Sequence, residues 1–513
     1  MVAGCMWPLS PPLLLPGDPR RTLTHFSQDN VSHYDIFLLD ESEEELYVGA
    51  RDRVLALAVG SPGSIRAKAS VSSHSSECAF KKKSQETECF NFIRVLVALN
   101  KTHLYVCGTY AFSPACTYIV RQPFLDGKGQ CPFDPQHTYT ALLVDGELYA
   151  GTMNNFQGNE PIISRSLGSP GVGGDAAPPV SSPHSPVPIA DAAFVASFSI
   201  PGDDKVYFFF EETADEFDFF ERLLVPRVAR VCKSDVGGDK VLQKKWTTFL
   251  KAQLVCSQPG RFPFNVIHHA FALPRHDGRA DFYAVGLGVC ALVLPTWLSL
   301  PTGRRAGQAV LLSVPTHRRI WRSTDPSVPP QCSMGPSSDK ALTFMKDHFL
   351  MDGKVFPIQG QPLLVKSDVT YTRITVGETR SISGTTYRVM FLATAEGFLH
   401  KAVELPKGPH IVESIQLFAV PEPVKNLLLA PGKVGHTQVT QQPPNASTGH
   451  WAEAQPCACP SPGHPLCGLL QGHPADPAGQ LQPAPELRRV RAGTGPLLRL
   501  AQPRGILSAH PLR

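Results

Sequence analysis

The residues best equipped for chemistry in this chain are its acids, histidines and cysteines, and spacing separates the three groups. The run EETADEFDFFE at 211–221 concentrates carboxylates. Such a run could do acid–base work or hold a cation, but cation loops place oxygen ligands at fixed offsets around a glycine hinge, and none occurs here. It reads as an acidic, solvated turn. His268 and His269 are adjacent, so on a strand they leave opposite faces and cannot form a paired ligand set. Near the C-terminus Cys457, Cys459, His464, Cys467 and His473 lie close together. No periodic segment flanks them to fix ligand geometry, so zinc is not expected there. GxSxG, HExxH and phosphate-cradling GxxxxGK are absent from the chain.

The remaining cysteines carry a different signal. Of 13 in the chain, Cys78 and Cys89 bracket the polar loop CAFKKKSQETEC, and Cys107 and Cys116 bracket CGTYAFSPAC. Neither pair sits among the histidines or CxxC motifs that zinc requires. Short loops pinned at both ends suit disulfides in an oxidising compartment. The sequons Asn30-Val-Ser and Asn100-Lys-Thr agree with export and mark candidate glycosylation sites. Net charge is +4 over 513 residues, without a basic stripe interleaved with aromatics; nucleic acid is therefore not an expected partner.

Elements that could position these residues recur along the chain. Short apolar strands alternate with Gly-containing and acidic turns, and no helical pattern long enough for βαβ units lies between them. The phrase occurs at 34–59, 92–120, 139–165, 192–217, 265–286 and 371–405. A strand-rich unit repeated this often implies a β-propeller, because each small sheet must bury its faces against its neighbours. In LYVGA and LYAGT, Gly49 and Gly151 allow close backbone approach. One helix is expected, capped at Ser337-Ser338-Asp339 and running through KALTFMKDHFLM. It would bury Leu342, Met345, Phe349 and Leu350 on one face and stop at Gly353.

Three stretches depart from the pattern. MVAGCMWPLSPPLLLPG has a short apolar run and no basic residue before it, so 1–22 reads as a damaged or missing signal region. Residues 286–330 lose the phrase and form an atypical insertion. The uncharged run 285–301 is at the short limit for a membrane span and Pro295 interrupts it. A seventh repeat opens at VKNLLLAP (424–431), and 432–513 reads as a disordered Pro- and Gly-rich tail.

Several blocks resemble one family. SECAFKKKSQETECFNFIRVL, LYVCGTYAFSPAC, GKGQCPFDP, DGELYAGTMNNFQGNEPIISR, KVYFFFEETADEFDFFERL and ALTFMKDHFLMDG are similar to the sema domain of class 4 semaphorins, most of all their A-type branch. The likeness runs over about 23–285 and 332–431. It implies an all-β, seven-bladed sema propeller at 23–431, incomplete here in the fifth and seventh blades. It also implies an extracellular or cell-surface guidance ligand, a propeller homodimer, a plexin receptor as partner, and no cofactor or small-molecule substrate. Roles in axon guidance, cell migration and immune regulation follow from it. By resemblance Cys78 pairs with Cys89, Cys107 with Cys116 and Cys232 with Cys332. The counterpart of Cys256 falls within the atypical insertion, where Cys290 lacks the family's surrounding motif, and Cys131 has no assigned partner. The loop carrying Lys81, Lys82 and Lys83 would lie on the plexin-facing edge. The modules that follow the propeller in the family, and its membrane helix, are not recognised, which marks the chain as truncated or misassembled. The alternative reading is a propeller-fold hydrolase or glycan-processing enzyme. It requires carboxylates converging on one mouth of the propeller.

Overall fold

The computed structural model describes residues 26–429 and the backbone of Leu13–Leu14. Breaks fall at 41–43, 60–63, 73–76, 101–102, 168–190, 217–222, 259–265, 295–319, 322–331, 333–338 and 382–383, and at a few single positions. The described strands form six sheets, one for each repeated phrase. Sheet one contains Ile36–Leu39, Glu45–Ala50, Arg53–Ala58 and Ile65–Ser70. Sheet two contains Ile93–Asn100, His103–Gly108, Ala115–Tyr118 and Arg121–Asp126. Sheet three is Thr140–Val144, Glu147–Met153 and Pro161–Leu167. Sheet four is Ala193–Ser199, Lys205–Thr213, Leu224–Cys232 and Leu250–Gln253, extended by Leu350–Met351 and Ile320–Trp321. Sheet five is His269–Pro274, Ala280–Val285, Gly288–Val293 and Leu364–Val365. Sheet six is Tyr371–Arg380, Thr386–Thr394, Phe398–Leu405 and Gly408–Gln416. The first strand of each sheet neighbours the first strand of the next, from sheet one to sheet six. That succession makes a propeller with these strands innermost.

Period-two side chains serve both neighbouring sheets at once. On Lys205–Thr213, Val206, Phe208 and Phe210 pack toward sheet three, while Tyr207 and Phe209 pack toward sheet five. All five are buried, each contributing about 1.5–3 kcal/mol. The two glycines are filled as their spacing suggests. A Cβ on Gly49 would lie 2.7 Å from the Ile93 side chain, and one on Gly151 would lie 2.6 Å from Phe194. The second strand of one sheet thus receives the leading side chain of another sheet's inner strand.

Two expectations require correction. The fifth sheet does not lose its continuation after Val285, because Gly288–Val293 pairs antiparallel with Ala280–Val285. Cys290 and Leu292 pack toward sheet four, and Val289 and Ala291 toward sheet six. A strand buried on both faces reads as an unbroken apolar run, so the alternating phrase vanishes although the strand persists. The helix is shorter than its capping pattern suggests: it spans Asp339–Asp347. Phe349 instead accepts the Lys251 N–H at 2.8 Å, and Leu350 enters sheet four beside Lys251. Leu342 is buried from the helix as expected.

Closure uses 424–429, which pair into no sheet among the described residues. Val424, Leu427 and Leu429 pack on sheet six, and Leu428 packs on sheet one. The Thr372 hydroxyl donates to the Val424 carbonyl at 2.9 Å. The segment therefore occupies the inner position of a seventh blade. Leu13–Leu14, from the expected signal region, pairs parallel with the outer strand of sheet six at Ser414 and Ile415. The remaining positions assigned to 1–22, most of 295–330, the 432–513 tail and its Cys/His cluster lie outside the described residues. No helix among the described residues is long and apolar enough to cross a membrane.

Candidate functional site

Every inner strand starts at the end of the propeller to which the preceding outer strand returns. The connections 71–92 and 127–139, and the turns 109–114 and 154–160, therefore share one end over sheets two and three. Two disulfides organise this end. Cys78 joins Cys89 with Cα atoms 6.0 Å apart, and Cys107 joins Cys116 across directly opposed strand positions, Cα atoms 4.0 Å apart. The buried amide of Asn91 locks the base of the loops, donating to the Val71 carbonyl at 2.7 Å and accepting the Tyr110 N–H at 3.0 Å.

Between the second pair of cysteines the backbone is strained. Tyr110, Ala111 and Phe112 have φ of 43°, 54° and 64°, a conformation costing about 1–2 kcal/mol per non-glycine residue. Packing holds it. Ala111 and Phe112 are buried with Cys78, against Cys89 and Phe156, and Ala111 N–H donates to the Phe90 carbonyl at 3.0 Å.

The three lysines do not form one outward patch. Lys81 reaches inward, its Nζ 2.8 Å from the Phe112 carbonyl oxygen and 2.9 Å from Ser113 Oγ. Lys83 pairs with Glu88 at 3.1 Å and Asp134 at 3.3 Å and lies over the Phe112 ring, 4.6 Å from its centroid. Burial disfavours the Lys83 charge, but hydrogen bonds and attraction from Glu88 and Asp134 outweigh it and raise its pKa. Lys82 is exposed. Beside it Phe80 is 87% exposed. The residue sequence reasoning overlooked is Phe80; its signal was a lone aromatic within an otherwise polar, disulfide-bracketed loop.

Other candidate residues disperse over the fold. Cys232 and Cys332 are joined with Cα atoms 5.4 Å apart, tying sheet four to the segment before the helix. Cys256 is joined to Cys290, Cα atoms 6.4 Å apart. Cys131 is a buried thiol outside these bonds, its pKa raised by burial. Asn30 and Asn100, the acceptor residues of the two sequons, are exposed. His268 Nδ1 donates to the Tyr371 carbonyl at 2.8 Å, whereas His269 Nδ1 accepts the Ile374 N–H at 3.4 Å. The two rings serve different partners.

The acidic run is not a uniformly solvated turn. Glu212 is buried and bonded to Arg227 at 2.7 Å and Lys251 at 2.7 Å; Glu216 also pairs with Arg227. Arg227 opposes Phe210 and Gln253, two positions from Glu212 and Lys251 respectively, so all three charges share one face of sheet four. Ion pairing, rather than solvent, satisfies the acid. Among the described residues no group of three His, Cys, Asp or Glu could hold a metal.

A Sema domain model matches residues 314–431. The chain is 51% identical over 446 residues to Semaphorin-4A of Homo sapiens, covering 81% of this chain and 56% of that protein. It is 48% identical over 503 residues to Semaphorin-4A of Mus musculus, covering 89% and 63%, and 40% identical over 476 residues to Semaphorin-4D of Homo sapiens, covering 85% and 55%. The chain thus spans less than two thirds of the length of these relatives. Among solved structures, Drosophila Semaphorin 1a, extracellular domains 1-2, superposes with TM-score 0.66 at 29% identity, over 79% of this chain and 84% of that one. Drosophila Plexin A in complex with Semaphorin 1b gives TM-score 0.63 at 27% identity, over 78% and 84%.

Proposed function

This chain belongs to the semaphorin family, class 4, and on that premise we propose that it is an extracellular guidance ligand whose sheet-two and sheet-three end docks onto a plexin ectodomain. One observation carries the reading. Two disulfide-pinned loops, braced by the inward bonds of Lys81 and Lys83, hold Phe80 and Lys82 outward on a rigid base. A rigid exposed aromatic beside a cation is the composition of an interface anchor: it buries a large area at low entropic cost and steers an acidic partner surface. The solved plexin–semaphorin complex among the structural relatives supports plexin as the partner class.

The role then extends to axon guidance, cell migration and immune regulation, with a propeller homodimer as the signalling unit. Sedimentation of the purified chain, read for a monomer–dimer equilibrium, tests the dimer. Surface plasmon resonance on immobilised plexin ectodomain tests the docking. Phe80→Asp should weaken binding by a factor of 30 or more, about 2 kcal/mol or above for a hot-spot residue. Lys82→Glu should lower the on-rate and reduce its salt dependence. Unchanged binding in both folded variants moves the interface elsewhere.

The hydrolase alternative meets a specific obstacle. At the end of the propeller where the inner strands begin, Asp35, just before the inner strand of sheet one, is already ion-paired with Arg94 and so is not a free acid for catalysis.

A further inference from the structure

Two loops at the sheet-two and sheet-three end meet at an imidazole. Residues 134–137 form a tight turn: the His137 N–H donates to the Asp134 carbonyl at 3.1 Å, and Asp134 Oδ1 accepts the Gln136 N–H at 2.8 Å. Arg94 fixes this turn from sheet two, donating to the Pro135 carbonyl at 2.6 Å. Opposite it, the turn 154–160 is closed by the Asn154 N–H, which donates to the Glu160 carbonyl at 2.8 Å. Asn155 Oδ1 accepts the Gly158 and Asn159 N–H groups at 3.0 and 3.2 Å. Gly158 has φ of 72°, and the His137 ring lies against it: a Cβ there would come within 2.6 Å of His137 Cε1. Glycine serves twice at 158, for its backbone conformation and for the space that the ring fills.

The seat suits a neutral ring and not an imidazolium. His137 Nδ1 is buried and has no hydrogen-bond partner among the described residues. Whichever tautomer is present, the imidazolium carries a hydrogen on Nδ1. There it meets no acceptor, and a buried charged donor without one is costly. The charged groups around the ring do not relieve it. From its own turn, Asp134 commits Oδ1 to Gln136 and Oδ2 to Lys83, 3.3 Å away. Lys83, from the loop 77–92, is itself a cation and is shared with Glu88. Glu160, from the facing turn, accepts from Asn154 Nδ2 at 3.3 Å. Arg94 beneath Pro135, and Lys81, 5.8 Å from the Phe156 ring centroid, add further positive charge. Burial lowers the His137 pKa against the attraction of Asp134, and Lys83 lowers it further.

We propose that His137 is a proton-operated latch at this end of the propeller. Neutral, it fastens 127–139 to the turn 154–160; protonated, it leaves its seat for water and the two loops part. The unseated ring takes its proton near pH 6.5, and the seated ring only at lower pH. The latch therefore holds in full above about pH 6.5. It loosens as pH falls below that, by at most about tenfold in the open-to-closed ratio per pH unit. One consequence rests on the receptor reading: the docking surface is ordered near neutral pH and yields in an acidic compartment.

The test is hydrogen exchange on the full-length chain at pH 7.5 and 5.5, without receptor, corrected for the intrinsic pH dependence of amide exchange. Exchange over 127–139 and 154–160 should quicken by up to about tenfold relative to 45–58 in sheet one, the limit for an open state titrating near pH 6.5. His137→Phe keeps a flat ring without an ionisable nitrogen and should exchange equally at both pH values. Should that variant not fold, His137→Gln replaces it. No quickening in the wild-type chain, the same quickening in the variant, or a uniform quickening that includes 45–58 overturns the latch. Binding to immobilised plexin ectodomain is then measured at both pH values by surface plasmon resonance. Affinity should fall more at pH 5.5 for the wild type than for the variant, and equal falls overturn the link to docking. Absence of plexin binding at either pH strikes the receptor reading alone, and the exchange result still decides the latch.

Discussion

The ammonium nitrogen of Lys81 lies 2.8 Å from the carbonyl oxygen of Phe112, the last of three consecutive left-handed residues. The cation caps a strained turn rather than meeting a partner. Lys81→Met keeps the aliphatic stem but removes charge-assisted bonds to Phe112 and Ser113. It should cost about 1–2 kcal/mol, near the low end for hydrogen bonds to charged groups. Denaturant unfolding measures this, and hydrogen exchange should quicken over 107–116. Lys82→Glu should leave both unchanged; equal destabilisation by the two substitutions would show that Lys82 is also engaged inward.

Glu212 holds two buried cations, Arg227 and Lys251. Burial lowers the Lys251 pKa despite the attraction of Glu212. Glu212→Gln is isosteric yet leaves that charge poorly compensated, so it should cost about 3–5 kcal/mol. The triple variant Glu212→Leu, Arg227→Met, Lys251→Met should recover most of the loss. A single substitution costing less than about 1 kcal/mol would contradict the network's burial.

Acid should weaken the fold through two histidines. Burial and Arg373 hold His269 down to about 3, and burial with Lys366 holds His400 down to about 4. The unfolded chain binds these protons near pH 6.5, but the folded chain does not until pH 3–4. Stability is therefore full above about pH 6.5 and falls as pH drops toward those values, by at most about 1.4 kcal/mol per pH unit for each histidine. Thermal melts between pH 7 and 4 should show the decline, and His269→Gln should flatten it. A pH profile identical in the variant would place the effect elsewhere.

Cys131 is fully buried beside Tyr105 and the Cys107–Cys116 bond. Its raised pKa and burial should block alkylation by iodoacetamide until the chain is unfolded. Peptide mapping without reduction should recover Cys256 linked to Cys290. Rapid native alkylation of Cys131, or recovery of Cys256 with a different partner, would contradict the structure around sheets two and five.

These sites differ in how far they can be read from residue order. The six repeated phrases correspond to the six sheets because period-two alternation and turn residues are local. Gly49 and Gly151 were legible for the same reason, their absent Cβ making room for Ile93 and Phe194. Gly288–Val293 was not, since burial on both faces erases alternation. Nor was the burial of Glu212, which depends on Arg227 and Lys251 arriving from two other strands. The inward turn of Lys81 and Lys83 escaped for a similar reason: their acceptors, Phe112 and Asp134, lie 31 and 51 residues away in the chain.

The central claim, that the sheet-two and sheet-three end meets a plexin, is tested most directly by hydrogen exchange on the full chain with and without a plexin ectodomain. The account predicts slowed exchange at saturation over 77–92, 109–114, 127–139 and 154–160. Sheets five and six, away from this surface, should be unchanged. Protection confined to sheets five and six, or no change anywhere at saturating plexin, would contradict it.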